Sequence, residues 1–383
     1  MTQALPEAKA SSCGWLKSVA LASLTAMAVL GGCSTTGYYA HRPQAHDPSD
    51  ARIPAQPAPP RTLAMFEGDT GRVATWADLM EGIAWADVVF VGEYHDHRAG
   101  HQVELAIYED ALAATPGTAL SLEMFERDDQ VMVDKYLKGE IDQPTLVEET
   151  KSKGWGPKNP AKGSWEEFYQ PLVDTAKAHD APIIAANAPR KYVRQARKDG
   201  YAALAALPPE EKVLFDTPTH LDTGAYRKRF EQVMVDNGAD ANASDHAQQM
   251  ESGFRSQQVW DATMAKSIAK ALDAGVPKVV HCVGSFHVDW QGGTMLQLRE
   301  IRPSTKILVV TVVAEGSEVL QDRDRHRADI VIYAARGPNE GDDDEEEAAP
   351  SDAAKNPHAA PATATPPEAA AQETTPAAEP AKP

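Results

Sequence analysis

Six short, almost continuous apolar runs constrain the fold of this chain more than any other feature. None alternates apolar and polar residues along its length, and each has the length of a strand rather than of a helix. The runs cover residues 87–92, 117–125, 181–187, 278–284, 306–313 and 329–333. Near-continuous apolar runs are typical of strands buried on both faces, as in a parallel sheet.

Helical patterns lie between these runs. Ser164 and Glu167 have the spacing of a capping box at the start of one predicted helix. A second helix is predicted after Pro189, and apolar residues that recur every four positions over 260–272 predict a third. The alternation of strands and helices predicts an α/β fold, with a mostly parallel open sheet, helices on both faces and additional helices.

Polar side chains follow four of the predicted strands. Glu93 and His95 end the first, Glu123 the second, Asn187 the third and His287 the fourth. Ligands of open parallel sheets bind beyond the carboxyl ends of the strands, so we expect these side chains to share one crevice. Two endings have the same G-x-x-H spacing, in which glycine permits a sharp turn and the histidine returns over the sheet edge. Taken alone, Glu123 is equally well explained as a helix cap or a solvated loop residue.

Two further histidines, His97 and His101, lie four residues apart at the start of the helix predicted after the first strand. This spacing suits metal ligands. It is more often found on a solvated helix face, and both interpretations stay open.

Five sequence blocks resemble the ChaN-type haem-binding uptake lipoproteins of the Tiki, TraB and erythromycin-esterase superfamily. The blocks are VVFVGEYHD, LSLEMFERDDQ, the Trp-rich segment from GWGPKNP to APRKYV, QQVWDATMAKSIA and VVHCVGSFHVDWQGG. They occur in order within residues 62–335. The resemblance implies an α/β scaffold that carries Glu and His, haem binding at the outer membrane, and a role in iron acquisition.

A haem carrier needs an axial ligand for the iron and aromatic surface for the porphyrin. Tyr94 and Tyr169 are the candidate ligands, although Tyr169 is also readily explained as a core aromatic residue. The predicted cofactor-binding residues are Tyr94, Trp155, Trp165, Tyr169, Asn187 and Arg190. The sequence leaves open whether haem binding joins two copies into a homodimer.

A metal-dependent hydrolase is the alternative hypothesis. Resemblance to the Tiki-like metalloproteases implies a divalent metal that activates water, held by His95 and His287 with Glu93 or Glu123, of which Glu93 is the predicted metal ligand. The predicted catalytic residues are Glu93, His95, Glu123 and His287. Without a metal, a glutamate polarised by histidine would act as the base, as resemblance to erythromycin esterases implies. Ser285 does not lie in a G-x-S-x-G elbow, so covalent catalysis is not expected. A non-catalytic envelope interaction protein is the third hypothesis.

The N-terminus predicts a lipid anchor. Lys9 and Lys17 precede an apolar run over 19–30 that is too short to span a bilayer but suits a signal peptide. The following LGGC resembles a lipobox, so residues 1–32 are predicted to be removed and Cys33 to be lipidated. Ser34 is not the Asp that retains lipoproteins at the inner membrane. We therefore expect an outer-membrane lipoprotein on the periplasmic face.

Composition sets the limits of the folded part. Residues 33–60 are a Pro-rich tether, and 337–383 are an Ala-, Pro- and Glu-rich tail with eleven acids against two lysines, so both are predicted to be disordered. The folded domain is predicted over residues 61–336. The formal charge of −19 argues against a nucleic-acid partner, because phosphate binding needs clustered Lys and Arg.

Overall fold

The computed structural model describes residues 59–157, 162–219, 221–236, 238–239, 244–337 and 340. The predicted signal peptide, Cys33, nearly all of the tether and the tail beyond residue 340 lie outside the described residues. Among the residues described, no helix combines the length and the hydrophobicity needed to cross a bilayer.

The described chain forms one open sheet of eight strands in the order β2-β1-β8-β7-β3-β6-β4-β5. The strands are β1 (Ala64–Glu67), β2 (Val73–Ala74), β3 (Val88–Glu93), β4 (Ala119–Glu126), β5 (Ile183–Asn187), β6 (Val279–Gly284), β7 (Ile307–Val313) and β8 (Ile330–Tyr333). The strands from β3 to β8 are parallel, whereas β1 runs antiparallel to both β2 and β8. The predicted α/β class with a mostly parallel open sheet is confirmed.

The described helices connect these strands and cover the sheet. They are α1 (Trp76–Trp85), α2 (Arg98–Ala114), α3 (Gln130–Leu137), α4 (Gln143–Thr150), α5 (Trp165–Phe168), α6 (Gln170–Ala178), α7 (Arg190–Asp199), α8 (Tyr201–Ala205), α9 (Pro209–Lys212), α10 (Ala225–Asp236), α11 (His246–Asp273) and α12 (Gly293–Ile301). Short 3₁₀ helices cover Pro60–Thr62, Arg127–Asp129, Ser152–Trp155, Ser285–His287, Asp289–Gln291 and Asp322–Asp324.

The start of α5 differs from the sequence prediction, and α1 begins with a capping box that was not predicted. Ser164 precedes α5, but among the described residues its side chain makes no capping hydrogen bond, so the predicted capping box is wrong. Glu167 instead forms an ion pair with Arg98, with 2.6 Å between Oε1 and Nε. A complete capping box is present at α1, where Thr75 and Asp78 bond to each other's backbone amides.

The two faces of the sheet are covered by different helices. Side chains alternate along a strand, so Phe90 of β3 faces the core cluster formed with α11 and α12, whereas Val91 and Glu93 point to the other face. Helix α2 packs against β3, β6 and β7 on that other face. In the parallel pair of β3 and β6, Glu93 lies opposite Gly284. The ends of these two strands, which are distant in sequence, therefore meet at one edge of the sheet.

Candidate functional site

The first group at this edge surrounds Glu93, which is 2% exposed at the end of β3. Its Oε1 accepts hydrogen bonds from the Tyr169 hydroxyl and from His95 Nδ1, both at 2.6 Å. Tyr169 lies at the break between α5 and α6 and is fully buried. The structure therefore brings together three predicted site residues, with the Tyr169 hydroxyl already bonded to a carboxylate.

The second group is built around His287, which follows β6 in a 3₁₀ turn. Its Nδ1 donates to Asp261 of α11 at 2.6 Å, and its Nε2 lies 3.6 Å from Glu123 Oε1. The other Glu123 oxygen accepts the Gly284 amide at 2.7 Å. Asp261 also accepts the Tyr226 hydroxyl at 2.7 Å. A carboxylate–imidazole–carboxylate chain results, and all its members are buried.

Electrostatics link the two groups. Burial alone would lower the pKa of His287, but Asp261 and then Glu123 outweigh burial and raise it. For His95 burial again acts to lower the pKa, while the hydrogen bond and charge of Glu93, followed by the charge of Glu123, raise it overall. Since Glu123 acts on both imidazoles, the four predicted catalytic residues lie close together at one end of the sheet.

Glu93 has the pKa of a group suited to proton transfer near neutral pH. Burial, followed by the charge of the nearby Glu104 of α2, raises the pKa of its carboxyl to about 7 against the opposing effect of His101. A carboxyl group that titrates near the working pH can act as a general acid or base. The geometry therefore supports proton transfer at Glu93, with His95 and Tyr169 as its hydrogen-bonding partners.

Two of the predicted aromatic residues occupy different environments. The half-buried Trp155 meets the His95 ring edge-on at 5.4 Å between centroids, and the guanidinium of Arg190 lies 5.1 Å from the Trp155 ring. Trp165 is fully buried beside Tyr169, and its indole N–H donates to Gln170 at 2.9 Å. Trp155 and Arg190 thus line the rim, whereas Trp165 packs beneath it.

Tyr94 directly follows Glu93 at the end of β3 and contacts Arg327, which lies between β7 and β8. Tyr94 is half-buried, and its hydroxyl oxygen accepts a hydrogen bond from Arg327 at 2.8 Å. Arg327 in turn donates to Asp289 at 2.7 Å and lies 5.0 Å from the ring of Trp290. Trp290 is 37% exposed and has a left-handed φ of 51°. An aromatic surface backed by a buried guanidinium therefore flanks Tyr94.

Asn187 supports the site rather than facing it. Its side-chain amide donates to the Glu123 carbonyl at 3.1 Å, and its oxygen accepts the Ala188 amide at 2.9 Å. These bonds tie the end of β5 to the end of β4, and so they fix the backbone that carries Glu123.

The histidines at the start of α2 are not on a solvated face. His97 and His101 are 0% and 3% exposed, so that interpretation of their spacing is wrong. Burial, followed by the charge of Arg336, lowers the pKa of His97 to about 3. His101 hydrogen-bonds Glu104 at 2.8 Å between Nδ1 and Oε2, three residues further on the same helix.

Several site residues were missed by the sequence reasoning. His101 and Glu104 lie three residues apart on the same helix. This spacing could have indicated Glu104 as a site residue. Asp261 and Arg327 reach their partners His287 and Tyr94 from distant segments, so no local pattern indicates them.

Comparison with known proteins supplies the family. The model of a family described as haem-binding uptake, Tiki superfamily, ChaN matches residues 79–298. A solved structure described as cofacial heme binding to ChaN of Campylobacter jejuni has 21% sequence identity to this chain and a TM-score of 0.54. The match covers 71% of this chain and 96% of that one. The type III effector HopBA1 is 14% identical, with a TM-score of 0.38, over 73% of this chain and 99% of its own. No curated protein matches the chain.

Proposed function

Because this chain belongs to the ChaN family of haem-binding uptake proteins in the Tiki superfamily, we propose that it binds haem at the crevice and serves in haem or iron acquisition. The family match carries this proposal, since residues 79–298 include all the strand ends that form the crevice. The likeness to the Campylobacter structure supports the fold.

The residues of the crevice fit a haem group. Haem needs an oxygen or nitrogen ligand for its iron, flat aromatic surface for the ring and cations for the propionates. Tyr94 and His95 offer ligand atoms, while Trp155 and Trp290 offer partly exposed indole rings. Arg190 lies at the rim with a side chain that is 58% exposed and thus accessible to a propionate.

Of the two predicted tyrosine ligands, we favour Tyr94. Tyr169 is fully buried, and burial, together with the charge of Glu93, raises the pKa of its hydroxyl well above the ordinary value. Tyr94 is half-buried, and the guanidinium of Arg327 donates to its oxygen at 2.8 Å. A tyrosine oxygen is one of the axial ligands that haem iron takes in proteins. When bound, haem would supply the redox-active iron, and Tyr94 would hold it.

A proposal for the location of the protein rests on its N-terminal sequence. We propose lipidation at Cys33, an outer-membrane location on the periplasmic face, and a homodimer on haem binding. The lipobox-like LGGC supports the first two of these proposals. Family membership supports only the more general role in haem uptake.

A hydrolase is the second candidate function. The observation that favours it is the pair of Glu93, with a pKa of about 7, and the buried Asp261–His287–Glu123 chain in one crevice. In this alternative, Glu93 takes a proton from water and His95 and Tyr169 hold its carboxylate in place. The metal that family resemblance implies would use His95, His287 and Glu93.

One panel of variants tests both functions. Each purified full-length variant is titrated with hemin and is assayed for ester and peptide hydrolysis. If Tyr94 ligates iron, Tyr94→Phe shifts or abolishes the Soret change, whereas Tyr169→Phe and the distant control Tyr136→Phe do not. If hydrolysis is the function, His287→Ala abolishes turnover and leaves the Soret change intact. A Tyr94→Phe protein with the wild-type spectrum would overturn the ligand assignment.

A further inference from the structure

Beneath the crevice, on the face covered by α2, three side chains converge on one point. Glu93, His101 and Glu104 each have one possible metal-ligand atom, and these three atoms lie within 4.8 Å of one another. The three residues are between 0% and 3% exposed. They join the end of β3 to the first turns of α2, so their mutual position is set by the packing of that helix on the sheet.

The protonation of His101 is fixed by its neighbours. Its Nε2 lies 3.2 Å from the carbonyl oxygen of His95, which can only accept, so Nε2 carries the proton. With that proton on Nε2, the neutral ring presents its Nδ1 to the two carboxylates, 2.8 Å from Glu104 Oε2 and 3.7 Å from Glu93 Oε2. Without a metal, a proton lies in the short contact between Nδ1 and Glu104 Oε2. A metal that displaced this proton would find three ligand atoms directed at one point.

The two donors beside Glu93 bond to only one of its oxygens. Tyr169 and His95 both bond to Glu93 Oε1, which leaves Oε2 directed at the cluster. Glu104 makes side-chain hydrogen bonds with Glu93 and with the Cys282 thiol. Within the described part of the chain, Glu93 Oε2 and Glu104 Oε1 are nevertheless buried and have no geometric hydrogen-bond partner. Buried carboxylate oxygens that face one another are costly unless a proton or a cation lies between them.

The geometry points to a buried divalent-metal site formed by Glu93, His101 and Glu104. The surroundings match those of metal ligands, because a ligating histidine usually donates its second ring N–H to a carbonyl and ligating carboxylates are held by hydrogen bonds. Ligand atoms at about 2.1 Å from one metal in a tetrahedral shell lie about 3.4 Å apart. The observed separations from His101 Nδ1, 3.7 Å to Glu93 and 2.8 Å to Glu104, lie on either side of this value, so binding needs only small side-chain shifts.

The ligand types narrow the choice of ion. One imidazole and two carboxylates suit zinc or a similar first-row divalent ion, whereas calcium and magnesium prefer oxygen alone. The site differs from the metal site implied by family resemblance, with which it shares only Glu93. It does not depend on haem binding, because its atoms lie beneath the crevice surface.

Zinc retention tests the site. Tag-free full-length protein is stripped with a chelator, loaded with zinc, passed through gel filtration and analysed for metal. We expect about one zinc per wild-type chain, and less than about a tenth of that in Glu104→Gln, which keeps the shape of the side chain but loses the charge. Glu67→Gln is the control, because Glu67 is an equally buried carboxylate, paired with Arg72, at the far edge of the sheet.

A second measurement keeps the test decisive if Glu104→Gln does not fold. X-ray absorption at the zinc edge of the wild-type protein should show nitrogen and oxygen neighbours at about 2.0–2.2 Å with one imidazole. The assignment would be overturned if the wild-type protein kept well under one zinc per chain. It would also be overturned if Glu104→Gln retained as much zinc as wild type, or if sulfur atoms dominated the shell around the zinc.

Discussion

At the scale of single residues, Asp261 holds the group around His287 in place by hydrogen bonds. Its carboxylate accepts from His287 at 2.6 Å, from Tyr226 at 2.7 Å and from Thr294 at 3.1 Å, all in the interior. A carboxylate with three buried donors cannot be removed without leaving those donors unpaired. Asp261 therefore both positions His287 and raises its pKa.

We predict that Asp261→Asn destabilises the protein by about 3–5 kcal/mol, the usual cost of breaking a buried ion pair. The pKa of His287 is raised above 6.5, so the stability from the pair is complete below that pH and is lost as the pH rises through the folded-state pKa. Urea unfolding on both sides of pH 6.5 should thus show that the stability lost in Asp261→Asn, relative to wild type, is largest at low pH and shrinks as the pH rises.

Asp324→Asn is the matched control. Asp324 is buried and paired with Arg327 at 2.8 Å, and arginine does not titrate in this range. This variant should lose stability while keeping the wild-type pH slope. Equal slopes for all three proteins would show that His287 is not the titrating group.

From the sequence, the proximity of candidate site residues could be predicted only where the fold itself supplies it. Glu93 ends β3 and Glu123 lies near the end of β4, while His95 and His287 follow β3 and β6. Parallel strands place their carboxyl ends at one edge. Asp261 could not be found in this way, because it lies in the middle of the long helix α11 and only the packing of α11 on the sheet brings it to His287.

At the scale of elements, the turn after β6 is the most constrained segment of the site. Trp290 and Gln291 both adopt left-handed backbone angles, with φ of 51° and 59°. Gly293 begins α12 with φ of +52°, and a Cβ there would lie 2.2 Å from the His287 carbonyl oxygen. The turn therefore requires glycine at this position to hold His287 over the sheet edge.

We predict that Gly293→Ala destabilises the protein by about 3 kcal/mol, because left-handed strain and a backbone clash add together. Gly275→Ala is the control, since Gly275 has φ of +91° and nothing within 4 Å of an added Cβ. It should show the cost of strain alone, about 1–2 kcal/mol. Chemical denaturation of both variants measures the difference, and equal losses would exclude the clash at His287.

The sequence predicted the central elements well and the peripheral ones poorly. All six apolar runs coincide with strands to within two residues, because burial on both faces leaves a strong pattern. Strands β1 and β2 were missed, since runs of four and two residues are too short to show one. The helix predicted from Ser164 is divided at Tyr169, whose hydroxyl bonds to Glu93 of another element.

At the scale of the whole molecule, the folded domain is predicted to be held at a membrane by its N-terminus. We predict that Cys33→Ala yields a precursor that is not lipidated and no longer fractionates with membranes, because the lipid is the anchor. Palmitate labelling and membrane fractionation measure this outcome. A mutant that is still labelled would contradict the assignment of Cys33.

The central claim is that this molecule binds haem, and a hemin titration of the purified full-length protein tests it most directly. A saturable Soret shift that ends at about one haem per chain is the predicted result. The contradictory result is a spectrum that changes in simple proportion to added hemin, with no saturation and no shifted band.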